Sequence, residues 1–404
     1  MSDTPDYSAQ RLVTVLCIVT AMTNMCALTV YIVSPHIRDA LQLRADAFGL
    51  LLSVGLGAGI VGSLSAGWLA DRGHMRKTFH AALALLIITY ATCSLPPSYA
   101  RYLIAFTCAG MANTALTTLA SVGVTRAYPE GSRKPLTWLL IGYSLAGIVG
   151  PPFWGYLFQA FTSVVGGARS LQFVFACALG ACALAWAILA LNPVPARVAG
   201  TGTKKEDVQP GDIPLLGLPL VLVCVFAALH ASADNAMFVW IPEFTRAHFS
   251  PQPFPSSWIL SGVAAAYVLG RLVLLSAPDR LRDLTVITAG AGTSAVLFML
   301  AFNSPNQYLM AGLYVLGGVL LSADYPSIMS YTASMFKRGT GSALAITGAA
   351  SAGASLLVPP LVGYISEVTG SLVTAMMLPP ALLLLLALLA FLRKITETRG
   401  RAPT

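Results

Sequence analysis

The sequence predicts an all-α membrane protein with twelve transmembrane helices in two pseudo-symmetric six-helix bundles. Three observations predict it. The composition is too apolar to cover a water-facing surface. The uncharged runs have the length of a bilayer crossing and number twelve. The two halves of the chain repeat one another at a fixed offset.

Of the 404 residues, 56% are hydrophobic and only 10% are charged, with a mean hydropathy of +0.74. A soluble domain carries about 25% charge, so most of this surface is expected to face lipid. The same figures exclude a disordered chain and a secreted disulfide scaffold. The net charge of +8 does not point to nucleic acid, because the basic residues sit in short segments between apolar runs. Seven cysteines, at 17, 26, 93, 108, 177, 182 and 224, all lie in apolar segments without a CxxC pair. They read as small hydrophobes, with no disulfide framework and no zinc site.

A helix needs about 20 apolar residues to cross roughly 30 Å of hydrocarbon. Runs of that kind fall at 12–34, 46–70, 78–95, 101–125, 135–160 and 170–192. They resume at 214–241, 255–277, 284–303, 307–335, 340–365 and 371–392. The first run is too long for a signal-peptide core of about 7–15 residues and is expected to be retained. Residues 1–192 form the expected N-terminal bundle, 193–213 a polar, Gly- and Pro-containing linker, and 214–404 the C-terminal bundle. With both termini inside, 18 basic residues fall on the inner side and 5 on the outer. That bias sets the expected orientation, with cytoplasmic termini and linker. Trp68, Trp138, Trp240 and Trp258 fall near expected helix ends, as an interfacial aromatic belt requires.

The halves align at an offset of 208: Ser53 with Ser261, Gly62 with Gly270, Asp71-Arg72 with Asp279-Arg280, and Gly131 with Gly339. Pro151-Pro152 with Gly155-Tyr156 matches Pro359-Pro360 with Gly363-Tyr364. A parallel repeat of this kind favours a central site and a rocking motion. Gly57-Ala-Gly59-Ile-Val-Gly62 has the GxGxxG spacing of a nucleotide loop, but no strand precedes it, so it reads as small residues for close helix packing. No GxxxxGK[ST] occurs, which removes an ATP-driven pump.

The segment from Gly67 through Asp71-Arg72-Gly73 to Arg76-Lys77 resembles the loop 2–3 signature of the major facilitator superfamily. Gly147 to Gly150-Pro151 and Gly155 resembles the glycine-proline pattern of its fifth helix. The resemblance covers the whole chain. It implies the major facilitator fold, secondary transport by alternating access, and a conformational gate at Gly67, Asp71, Arg72 and Arg76. Within the superfamily, several pieces are similar to the fucose-permease-like branch: Asp234 followed by Trp240 and Pro242, Gly270-Arg271-Leu272, Tyr325-Pro326, and Gly348 through Tyr364. The acid that this branch often places in its fourth helix stands here as Asn113, with Thr118 five residues on.

Ionisable groups inside the membrane are functional candidates by default. Asp324 lies near the midplane of its run beside Pro326, which should kink the helix and free carbonyls next to a carboxylate. Asp234 sits 8 residues inside Pro242, about 12 Å deep. His230 shares its helix face at i,i+4, and Asn235 sits on the next face round. Two ligands are too few for a metal, so none is expected. Arg271, 8 residues before Asp279, needs a partner or a water-filled cavity and could hold an anionic solute or pair with an acid. Asn24 and Asn113 are uncharged amides at mid-depth, suited to solute hydroxyls or to joining helices. Tyr325 completes the candidate cavity.

The expected function is proton-coupled uptake of a small polar solute, sugar-like or an organic anion, at the inner (plasma) membrane. The coupling proton is expected on Asp324 or Asp234, with His230 a weaker third; Asp324 is favoured, Asp234 then acting mainly on affinity. The partners are the solute, protons or another coupling ion, and the bilayer, with no nucleic acid, no cofactor and a monomeric state. A proton-driven exporter and a transporter-like receptor without flux are the alternatives. The five His, at 36, 74, 80, 230 and 248, are scattered and form no nucleophile–base pair, so an enzyme is not expected.

Overall fold

A computed structural model describes residues 5–127, 133–192, 217–276, 282–336 and 340–399, and every regular element in them is helical. In order these are α1 (Pro5–Leu41), α2 (Ala45–Asp71), α3 (Met75–Cys93), α4 (Tyr99–Ala127), α5 (Arg133–Val165) and α6 (Gly167–Leu191). Then follow α7 (Leu218–His248), α8 (Ser256–Ser276), α9 (Asp283–Phe302), α10 (Gln307–Leu321), α11 (Asp324–Met335), α12 (Thr340–Thr369), α13 (Leu372–Ala375) and α14 (Leu378–Arg399). α10 with α11, and α13 with α14, are each one broken span, so the fourteen pieces make twelve membrane-length helices. Ten spans among the described residues are long and apolar enough to cross a bilayer. The expected linker, with Gly131, Asp279-Arg280 and Gly339, lies outside the described residues.

The chain divides into two compact units, Met1–Leu43 with Val54–Glu206, and Arg44–Ser53 with Asp207–Thr404. In the first, α1 packs on α4, α5 and α6, and α3 packs on α4 and α6. In the second, α7 packs on α11, α12 and α14, and α9 packs on α10, α11 and α14. The repeat is thus visible as one packing scheme used twice. The first turns of α2 belong to the second unit: the Ala45 N–H donates to Glu367 Oε1 at 2.6 Å, and Phe48 lies edge-on to Trp240.

Three local outcomes differ from the sequence expectation. α1 does not stop at 34 but runs through Pro35. Proline removes the N–H that would bond to the Tyr31 carbonyl, and Ser34 Oγ donates to that carbonyl at 2.8 Å instead. The tenth span does not bend at Pro326 but breaks earlier, at Ser322-Ala323, so that Pro326 sits in the first turn of α11. A first-turn N–H has no intrahelical partner in any case, so proline costs nothing there. Trp240 is fully buried rather than interfacial, and its indole N–H donates to the Pro359 carbonyl at 3.0 Å. Trp68, Trp138 and Trp258 are exposed, as a belt requires.

The glycine stripe of α2 is a packing surface. A methyl group at Gly55 would lie 2.8 Å from the Phe106 carbonyl oxygen, and one at Gly59 2.8 Å from Thr114 of α4. The Thr114 hydroxyl donates to the Gly59 carbonyl at 2.8 Å.

Candidate functional site

The second unit gathers a polar cluster inside the membrane span. On α7, His230 and Asp234 share one face, as the i,i+4 spacing requires. On α8, Tyr267 and Arg271 do the same. The Tyr267 hydroxyl donates to Asp234 Oδ1. Arg271 is exposed and within electrostatic reach of both Asp234 and His230, yet it makes no hydrogen bond or ion pair among the described residues. Tyr314 of α10 lies within the field of Asp234. His230 is buried with no hydrogen-bond partner on Nδ1, and its ring stands 5.8 Å from that of Tyr325 on α11.

The positions follow from the packing of α8. Gly270 lets α8 approach α10 until a side chain there would strike the Val319 carbonyl and the Ser322 hydroxyl. Arg271, next along the helix, is turned by about 100° and escapes that contact. The Tyr267 ring is seated over Gly318 of α10, where a methyl group would lie 3.3 Å from it. Asp234 is held from one side by a phenol and keeps part of its surface accessible.

Asp324 is arranged differently. It is 0% exposed, and neither carboxyl oxygen has a hydrogen-bond partner among the described residues. Oδ1 occupies the space that a side chain at Gly290 of α9 would fill. The sequence expectation favoured this acid as the coupling group from its depth and from the proline beside it. It packs against Gly290 of α9, fully buried and with no hydrogen-bond donor on it among the described residues.

The amides also sort by partner. Asn235 donates to the Ala231 carbonyl at 2.8 Å and to Ser355 Oγ at 3.0 Å, tying α7 to α12. Asn24 donates to the Tyr143 carbonyl at 3.1 Å, joining α1 to α5. Asn113 is half-buried, and no hydrogen bond of its side chain is seen. Among the described residues no group of three metal-ligating side chains comes together.

The Major Facilitator Superfamily profile matches residues 14–273 and 223–404, which together span nearly the whole chain. The chain belongs to the major facilitator superfamily. It is therefore a multi-pass membrane protein of a family of secondary transporters, not of enzymes. A bacterial homolog of the human lysosomal transporter Spinster, solved in an inward-facing and unoccupied conformation, has the same fold. The TM-score is 0.80 with 15% identity over 100% of both chains. A D-xylose-proton symporter gives a TM-score of 0.76 with 12% identity over 94% of this chain and 97% of that one. No curated protein sequence matches.

The superfamily's loop 2–3 signature is described in part. Asp71 ends α2, and nothing is described of its side chain. The Arg72 guanidinium lies 3.7 Å over the Trp68 ring, a cation–π contact. Arg76 is exposed. A methyl group at Gly67 would meet nothing within 4 Å among the described residues.

Sequence reasoning missed Tyr267 and Tyr314. A tyrosine in an apolar helix is an ordinary packing residue. The available signal was spacing: Tyr267 lies one turn before Arg271, on the same face of α8.

Proposed function

We propose that this superfamily member couples uptake of a small organic anion to protons by alternating access, with Asp234 as the coupling carboxylate. The observation that carries the reading is the Asp234–Tyr267 pair together with Arg271, which makes no ion pair among the described residues, inside the membrane span. A guanidinium there is costly without a partner, so its presence argues for an anion that visits it. An acid whose charge can change, partly accessible and beside that cation, is what proton coupling requires. The pieces that resemble the fucose-permease-like branch, Asp234 with Trp240 and Gly270-Arg271, are those that supply the acid and the cation. The cation favours an organic anion over a neutral sugar. The site is the inner or plasma membrane of the cell, with cytoplasmic termini, as the basic bias supports.

The test begins with a thermal-shift screen of purified protein against metabolites, since a ligand of the folded state raises apparent stability. The best ligand is then added outside proteoliposomes in weak buffer. Symport makes the outside medium more alkaline as solute enters. Acidification instead supports the exporter reading, and binding without flux supports a receptor.

A further inference from the structure

We infer that the groove between the inner ends of α3 and α6 seats one anionic phospholipid, with its phosphate against Arg76, Lys77 and His80 and its chains between the two helices. The bilayer here is a specific partner of the first unit, apart from the polar cluster of the second.

A hydrogen bond between the two helices builds the polar end. Trp186 of α6 is 40% exposed, and its indole N–H donates to His80 Nδ1 of α3 at 2.8 Å. The rings meet edge-on, with centroids 6.4 Å apart. An indole only donates, so Nδ1 accepts and the neutral imidazole carries its proton on Nε2. The bond fixes that tautomer and makes the other edge of the ring a donor. Arg76 and Lys77 lie four and three residues before His80, so both are its neighbours on α3, one turn nearer the helix end. Both are exposed, at the end of the span that the basic bias assigns to the cytoplasm.

Charge and shape select the occupant. Neither α3 nor α6 contains an Asp or Glu, so neither helix supplies an acid to these cations. No ion pair of Arg76 or Lys77 is seen among the described residues. Beyond the polar end the walls are apolar and open. Ile88 of α3, eight residues beyond His80 on the same side, is 62% exposed. Toward the bilayer centre from Trp186, α6 exposes Ala183 and Gly180, and a methyl group at Gly180 would meet nothing within 4 Å. A donor and two cations above an apolar trough fit a molecule with an anionic head and hydrocarbon chains. Basic pockets between transmembrane helices on the cytoplasmic side suit such headgroups. A zwitterionic head brings its own ammonium, which these cations repel. A free phosphate leaves the trough unused.

Delipidated full-length protein in detergent is titrated with dioleoylphosphatidylglycerol, dioleoylphosphatidylcholine and glycerol 1-phosphate. Retained ligand is counted by native mass spectrometry, and apparent stability is read by thermal melting. Phosphatidylglycerol should be retained and should raise the melting temperature saturably. Phosphatidylcholine and glycerol 1-phosphate should do neither at the same concentration. Lys77→Gln should weaken phosphatidylglycerol about 5-fold, and Arg76→Gln with Lys77→Gln about 25-fold. Arg169→Gln removes a cation at the opposite end of α6 and should leave the affinity unchanged. Trp186 is a positioning residue, so Trp186→Phe should weaken the lipid about 2- to 10-fold. In a His80→Leu background the same change should cost nothing further, because the indole acts through the imidazole; a merely structural tryptophan would show its loss in both backgrounds. The inference is overturned if phosphatidylcholine is retained equally, or if glycerol 1-phosphate alone stabilises as well as the lipid. It also fails if the Arg76 and Lys77 double variant binds as wild type does, or if Arg169→Gln weakens binding as much, which would mean unspecific attraction to a basic protein.

Discussion

At the residue scale, two carboxylates at similar depth are separated by what stands beside them. Asp234 meets a phenol and the field of a cation, and part of it is accessible. Asp324 meets a glycine and has no hydrogen-bond partner among the described residues. Depth along a helix is legible in a sequence, because rise per residue is fixed. Whether a carboxyl faces an opening or a packed neighbour is not legible, because the neighbour comes from another helix. Gly290 lies far from Asp324 in the chain, and nothing around Gly290 announces that it receives a carboxyl. Hence Asp324→Asn is predicted to keep pH-driven accumulation of solute near the wild-type level, as an amide fits where the carboxyl makes no hydrogen bond. Initial uptake rates at a series of pH gradients test this. Loss of gradient-driven uptake in that variant would return the coupling role to Asp324.

At the element scale, small residues decide where helices meet. The GxGxxG stripe was legible as packing, because a nucleotide loop needs a strand that the sequence lacks. Its partner face on α4 was not, since Phe106, Gly110 and Thr114 carry no special pattern. A side chain at Gly110 would strike Gly55, so Gly110→Leu should sharply lower the amount of folded protein, while Gly67→Ala should leave it unchanged. Size-exclusion yield from detergent extracts reads both, and equal yields would refute the assignment. Gly290→Ala should destabilise by about 1–3 kcal/mol through overpacking against the Asp324 carboxyl. Adding Asp324→Ala should relieve most of that loss, because the colliding group is gone. A thermal-melt double-mutant cycle measures the coupling, and strict additivity would mean the two do not touch. The break at Ser322-Ala323 was visible only as a proline nearby. Where the helix stops is set by which carbonyls find donors, and the Ser322 hydroxyl bonding to the Val319 carbonyl is one such local choice.

At the scale of the whole molecule, the fold was almost fully legible, because a bilayer leaves few options for a chain this apolar. The 208-residue repeat returns as a repeated packing scheme, with α1 and α7 in equivalent places. The orientation rests on the basic bias alone, and it predicts that a single cysteine placed at Lys204 reacts only from the cytoplasmic side. Labelling of that site from outside intact cells would invert the topology. The gate signature predicts that Asp71→Asn slows transport far more than it weakens solute binding, as expected of a residue that acts on a conformational equilibrium. Normal turnover with poor affinity would contradict that role.

The central claim is that Asp234 carries the charge change that links solute to protons. Its most direct test compares two modes of transport in proteoliposomes bearing Asp234→Asn. Accumulation against a gradient needs net proton movement, whereas exchange of internal for external solute does not. The account predicts that the variant loses pH-driven accumulation yet keeps exchange, with wild-type and Asp324→Asn protein performing both. If Asp234→Asn still concentrates solute in response to a pH gradient, Asp234 is not the coupling group and the account fails.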